Sequence, residues 1–163
     1  MYGSVVDGDN YFAARLHNYD WISASGTDRL AALVQATELI NQFDYIEQKY
    51  AIVALGTKPT EAEVRTANIS QPDEFPRGDS ATIPTEIIEA AFLIAQALLS
   101  GRDPELDLEN QTLKTVRFGQ LSSARDVEGN TNEHIAHLIP SPLAWNKIRP
   151  FLRERNKFCF NRS

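Results

Sequence analysis

Towards the C-terminal end, four aromatic residues alternate with six cations: Trp145, Phe151, Phe158 and Phe160 among Lys147, Arg149, Arg153, Arg155, Lys157 and Arg162. Two chemistries use this mixture. Aromatic rings stack on bases while cationic groups meet phosphates, as in single-stranded nucleic-acid binding. Trp and Arg also anchor protein interfaces by filling pockets on a partner. The structural alternative is packing: Trp145, Ile148 and Leu152 stand at i, i+3 and i+7, the spacing that lays a last helical turn on a body. Phe158 and Phe160 fall outside that spacing. With Glu154 as the sole acid, residues 145–163 carry +5, whereas the chain of 163 residues carries −6, leaving −11 on the first 144. An acidic body with a basic tail implies that the tail meets something acidic: nucleic acid, another protein, or the body of a neighbouring copy. A solvated or self-docked tail is the plainer reading.

Other candidate chemistry is sparse. His134 and His137 are three apart and can share a helical face, but a zinc site needs further ligands, and His17 and Cys159 stand in no ligand motif. Asp7-Gly8-Asp9-Asn10 has the acidic character of a calcium loop without its spacing, its sixth-position glycine or its bidentate Glu. Helix capping explains it more simply. Gly56-Thr57-Lys58 resembles the end of a phosphate loop, yet the earlier glycine is missing and Pro59 follows. Ser122-Ser123 and the histidines make no nucleophile signature. The acids at 103–109 and 126–128 read as solvated loop charges. No catalytic residue, metal or cofactor is assigned, and the expectation is a protein that is not an enzyme.

The length suits one domain able to bury a real core. A single cysteine, Cys159, rules out an internal disulfide and fits a reducing compartment. The N-terminus lacks the basic and apolar regions of a signal peptide. The longest uncharged apolar run, Ala90 to Leu99, is too short for a bilayer, so a soluble protein with no membrane partner is expected.

The elements that must position these groups read as mainly helical. Residues 5–17 predict a first helix, capped by Asp7 or Ser4, with Tyr11, Phe12 and Leu16 on its apolar face. Residues 18–26 predict a turn-rich connection anchored by Trp21. Thr27 or Asp28 starts a second helix to about Phe43, with Leu30, Leu33, Val34, Thr37, Leu39 and Ile40 at roughly helical spacing. Tyr45 to Leu55 continues it or begins another, ending at Gly56. Thr60 and Glu63 form a capping-box pattern for a short helix near 60–67. Ser70 to Thr82 reads as a surface loop. Pro84, Glu86 and Gly101 then punctuate a helix so apolar that it must lie inside a bundle or face other subunits. Asp103-Pro104 predicts another loop, and Thr115 to Ala124 a strand around Gly119. A turn at Glu128-Gly129-Asn130 suggests a hairpin with part of 131–138. Pro140, Pro142 and Pro150 break regular structure. The expected architecture is a small bundle of about four helices with a minor β-hairpin over residues 1–144, followed by an extended C-terminal arm over residues 145–163 that orders on a partner.

The central segment also carries a resemblance. Phe75-Pro76-Arg77, then Ile83-Pro84, then the Ala/Leu-rich helix resembles the DnaT-like single-stranded-DNA-binding proteins of tailed bacteriophages. Tyr2, Ser4-Val5, Asp7, Asp9, Tyr11-Phe12-Ala13-Ala14-Arg15, Trp21, Ala31-Ala32-Leu33, Ala36-Thr37 and Leu39-Ile40 agree with it, as do Val116 to Ser123 and the Pro-flanked Pro140 to Leu152. Residues 44–74 and those after Leu152 depart from it. Such proteins are similar to the head-to-tail adaptor, or head-completion, proteins of the phage neck. The resemblance implies a structural adaptor in the virion, assembled in the host cytoplasm as a homo-oligomeric ring under the portal. Portal symmetry in such viruses implies a dodecamer. The implied partners are the portal protein, neighbouring copies and a tail or nozzle protein. Packaged DNA would pass through the channel without specific binding, discouraged from sticking by the acidic body. Trp145, Lys147, Arg149, Phe151, Arg153, Arg155, Lys157, Phe158, Phe160 and Arg162 would form the portal-binding arm. The family label itself implies the alternative, a single-stranded-DNA-binding module. For that reading, the overall acidity is unfavourable.

Overall fold

Residues Thr85–Leu99 form a central helix, and the rest of the protein is organised around it. In chain order the elements are α1 (Val5–Ala13), α2 (Tyr19–Ser23), α3 (Gly26–Asn41), α4 (Tyr50–Val53), α5 (Glu61–Ser70), α6 (Thr85–Leu99), α7 (Pro104–Thr112), β1 (Thr115–Phe118), β2 (Leu121–Ala124), α8 (Glu133–Ala136) and α9 (Pro142–Ile148), then a 3-10 turn at Arg149–Phe151. The computed structural model describes residues 1–56, 59–112, 115–118, 121–124 and 132–153.

The fold is mainly α, as the periodicity predicts. Ile87, Ala90, Ala91, Phe92, Ile94 and Ala95 of α6 are all buried. They meet Ala32, Leu33, Ala36 and Ile40 of α3 on one side and Ala144, Trp145 and Ile148 of α9 on another. α1 and α2 close the bundle through Phe12 and Trp21, each 1% exposed. Alanines at 90, 91 and 95 let neighbouring backbones come close, while the large side chains between them fill the gaps. Each fully buried Ile, Leu or Phe contributes about 1.5–3 kcal/mol of transfer free energy. β1 and β2 form an antiparallel hairpin, with Thr115 opposite Ala124 and Phe118 opposite Leu121.

Local chemistry sets the helix ends. Ser4 and Asp7 make a reciprocal capping box on α1, and Thr60 and Glu63 make another on α5. Backbone and hydroxyl hydrogen bonds from Thr60 hold the Glu63 carboxyl below its ordinary pKa. Gly101, at φ +84°, takes the left-handed position after α6.

Several expectations are corrected. α1 stops at Ala13, because the Asn18 amide donates to the Phe12 carbonyl at 2.8 Å, and Leu16 is left 87% exposed. The connection at 18–26 contains α2. Ser25 caps α3, its hydroxyl accepting from the Asp28 N–H, and packing against α6 buries 32, 33, 36, 37 and 40, so Leu30 and Val34 face outwards. Asp103-Pro104 starts α7 rather than a loop, as Asp103 Oδ1 accepts from the N–H groups of Glu105 and Leu106. The hairpin pairs 115–118 with 121–124, and within the expected partner stretch Glu133–Ala136 forms α8 and not a strand. Pro142 does not break structure but begins α9, behind a Ser141 cap. The turn expected at Glu128-Gly129-Asn130 lies outside the described residues.

Candidate interaction site

The expected arm divides in two. Its first half belongs to the body, so a domain boundary at 144/145 would cut through α9. Trp145 is 4% exposed, stacked on His137 with ring centroids 4.5 Å apart and tilted against Phe43. Ile148 is fully buried. Lys147 pairs with Glu89 of α6, and Arg149 lies 3.6 Å from Glu133. Phe151 packs edge-on to Phe75 at 5.8 Å. Leu152 bridges to Tyr45, and the Arg153 N–H donates to the Asp44 carbonyl at 3.0 Å. The i, i+3, i+7 packing of Trp145, Ile148 and Leu152 is thus what the structure contains, in place of an arm starting at Trp145. Arg155, Lys157, Phe158, Phe160 and Arg162 lie outside the described residues.

Other singled-out residues also have structural partners. Asp7 completes the α1 capping box, while Asp9 accepts from the Trp21 indole N–H at 2.8 Å and pairs with Arg29 at 2.9 Å. Gly8 lies where a Cβ would come within 2.4 Å of Trp21. Burial and the neighbouring Arg102 guanidinium push the His134 pKa below its ordinary value. Among the described residues no group of three or more His, Cys, Asp or Glu is arranged to hold a metal ion. No helix among them is long and apolar enough to cross a membrane.

The Phe75-Pro76-Arg77 segment, joined by a cis Phe75–Pro76 bond, is a packing and hydrogen-bonding hub. Phe75 is buried against Tyr2, Tyr45 and Phe151. Arg77 pairs with Glu74, donates to the Glu47 carbonyl at 2.6 Å and lies over the Tyr45 ring. Tyr2 donates to Asn41 and accepts from the Phe75 N–H at 3.1 Å. Burial raises the pKa of Tyr2 and Tyr45. At Asp73 burial opposes the charged form, but hydrogen bonds from the Met1 α-amino group and the Asn41 amide outweigh it and lower the pKa. Arg77 therefore has a structural role within one copy.

Among the described residues the surface carries at least two open depressions. One, of about 490 Å³, follows α5 along Pro59, Glu61, Val64, Arg65, Asn68 and Ile69. The other, of about 470 Å³, is a groove between α2, the first half of α3 and the end of α6, lined by Asp20, Ser23, Ala24, Asp28, Ala31, Ala32, Gln35, Leu98 and Leu99. Asp28, Ala31, Ala32 and Gln35 recur at helical spacing, a signal visible in the chain. Their meeting with Leu98 and Leu99 depends on how α3 crosses α6.

No protein-family model matches this chain, and no curated protein or solved structure is similar to it at a significant level.

Proposed function

We propose that the chain is a structural adaptor of the tailed-phage neck, forming a ring under the portal and offering the surface on which the tail docks. The observation that carries the reading is the charge division, an acidic helical body ending in a basic aromatic segment, set beside the ordered motif resemblance. A heterologous ring needs one face of each copy to complement a different face of the next. Opposite charge on body and tail supplies such a pair. The acidic body also suits the wall of a DNA channel, where like charge prevents gripping. The role is assembly, not catalysis, and the place of action is the virion. Since 145–153 packs into the body, the docking arm shortens to 154–163.

The test is co-sedimentation with the portal protein of the same genome, using the full chain and a chain ending at Arg153. Rings that associate with the portal only with the full chain are the expected result. Association of neither with the portal would remove the adaptor reading.

A single-stranded-DNA-binding module is the second reading. It rests on Phe158 and Phe160 interleaved with Arg155, Lys157 and Arg162. Core burial of Trp145 subtracts one stacking residue from it. The reading predicts a mobility shift with single-stranded DNA that weakens steeply with salt; no shift at low salt would end it.

A further inference from the structure

α8 and the turn after it are tied to the bundle through individual side chains. The His137 ring stacks on Trp145 at 4.5 Å between centroids and meets Phe43 at 5.8 Å. The Gln42 amide donates to the His137 carbonyl at 3.1 Å, and Glu133 lies 3.6 Å from Arg149. Beneath this cover the Trp145 indole is 4% exposed, and its Nε1–H has no hydrogen-bond partner among the described residues. A buried donor without a partner is costly, because water satisfies it in the unfolded chain. A second cost lies at the end of the same helix. Leu138 sits at φ +58°, left-handed backbone that a side chain of this kind rarely adopts. It is held there by its own N–H on the Ile135 carbonyl at 2.9 Å and by the Ile139 N–H on the His134 carbonyl at 2.8 Å. Ile139 and Pro140, which follow, are buried in the body. α8 is thus a small cover closed over an unsatisfied group, with a strained residue where it joins the body.

His134 makes this cover sensitive to protons. Among the described residues it faces Arg102 and, from α7, Asp107. Arg102 Nη1 donates to the Pro140 carbonyl at 2.9 Å, on the body side of Leu138, which keeps the guanidinium beside the imidazole. Glu133, next to His134 on α8, is engaged with Arg149. Burial and Arg102 oppose a proton on His134, Asp107 favours one, and the balance lowers its pKa below the ordinary 6.5. The neutral imidazole therefore belongs to the closed cover, and an opened cover takes up the proton more readily. Opening is favoured as pH falls from about 6.5 through the closed-state value. A proton on His137 has no such effect, since a cation over the Trp145 face is still attracted to the ring.

We propose that α8 is an acid-released cover for Trp145: it turns about Leu138, and a proton on His134 beside the fixed Arg102 opens it and lets water reach the buried indole N–H. Opening lifts the His137 ring away and uncovers the aromatic pair Phe43 and Trp145. The bundle itself stays closed, because Ala144 and Ile148 of α9 remain packed on α6.

The two tryptophans supply both a reporter and a control. The Trp145 indole N–H reports on the cover, whereas the Trp21 indole N–H, on α2, donates to Asp9 at 2.8 Å. Solvent exchange of both indole protons is measured by NMR at about pH 7.5 and about pH 5.5 in the full chain, in His134→Gln and in Arg102→Gln. Each rate is divided by that of free tryptophan at the same pH, which removes the chemistry of exchange itself. Circular dichroism melts establish that the variants remain folded. In the unsubstituted chain, Trp145 protection is expected to fall about threefold or more at the lower pH. That response is expected to vanish in His134→Gln and to shrink in Arg102→Gln, with Trp21 protection unchanged throughout. Equal Trp145 protection at the two pH values overturns the proposal. So does a fall that persists in His134→Gln, or one undiminished in Arg102→Gln. A fall that Trp21 shares also overturns it, because the whole bundle would then be loosening rather than α8 alone.

Discussion

Small residues at contact points decide much of this fold. Gly8 is inside a helix, where glycine costs about 1 kcal/mol relative to alanine, and its position under Trp21 explains why it is there. Gly8→Ala forces Trp21 to move and is expected to lose about 1–3 kcal/mol, read as a fall in Tm of roughly 2–4 °C per kcal/mol for a chain of this size. An unchanged melt would contradict the close approach. Asp73 makes a pH prediction. Its folded pKa is lowered below the ordinary 3.8, so its contribution is present above that value and is lost as pH falls from about 4 through the folded value. Asp73→Asn should therefore be less stable at neutral pH and show a shallower stability loss below pH 4. Parallel acid titrations of the two proteins check this. The calcium-like cluster at 7–10 resolves at this scale too: Asp7 caps, Gly8 makes room, and Asp9 binds Trp21 and Arg29.

Among the elements, α9 most changes the meaning of its residues. Read along the chain, Trp145 is one aromatic in a basic aromatic run; in the fold it is a core residue stacked on His137. Trp145→Ala is expected to cost about 3–5 kcal/mol. A chemical-denaturation midpoint that does not move would return Trp145 to an exposed arm. The nearly continuous apolar character that marks α6 needs no such revision, because a helix apolar on nearly every side can satisfy itself only by burial. α3 shows the subtler case. Its helical period is plain in the chain, but Ser25 sets the start and the partners set the face, so Leu30 and Val34 point outwards despite their spacing.

At the level of the molecule, the body closes only when 145–153 returns to it. Phe151 meets Phe75, Leu152 bridges to Tyr45, and Lys147 pairs with Glu89, tying chain end, central loop and central helix together. Ending the chain after Ala144 removes Trp145 and Ile148 from the core and is expected to abolish cooperative unfolding. Ending it after Arg153 is expected to leave the melt within a few degrees of the full chain, since every described core residue remains. Thermal melts of the two shortened chains distinguish these outcomes. The second chain is thus the informative one for binding experiments, because a loss of binding there is not a loss of fold.

The sequence by itself determined what depends on neighbours within a few residues. The capping box at Thr60, a cap from Ser4 or Asp7, the left-handed Gly101, the mainly helical class and the apolar central helix follow from hydrogen bonds and periodicity that act over one or two turns. So does the charge division between body and tail. Tertiary structure alone decided the partners: that Gly8 underlies Trp21, that Phe75 and Phe151 meet, that Asp20 and Asp28 share a groove with Leu98 and Leu99. For Trp145, whose i, i+3, i+7 spacing with Ile148 and Leu152 already offered packing, it decided between that and an exposed arm. The physical reason is that a side chain's burial is set by the surface brought against it, and for these residues that surface comes from a distant stretch of chain whose approach no local pattern encodes.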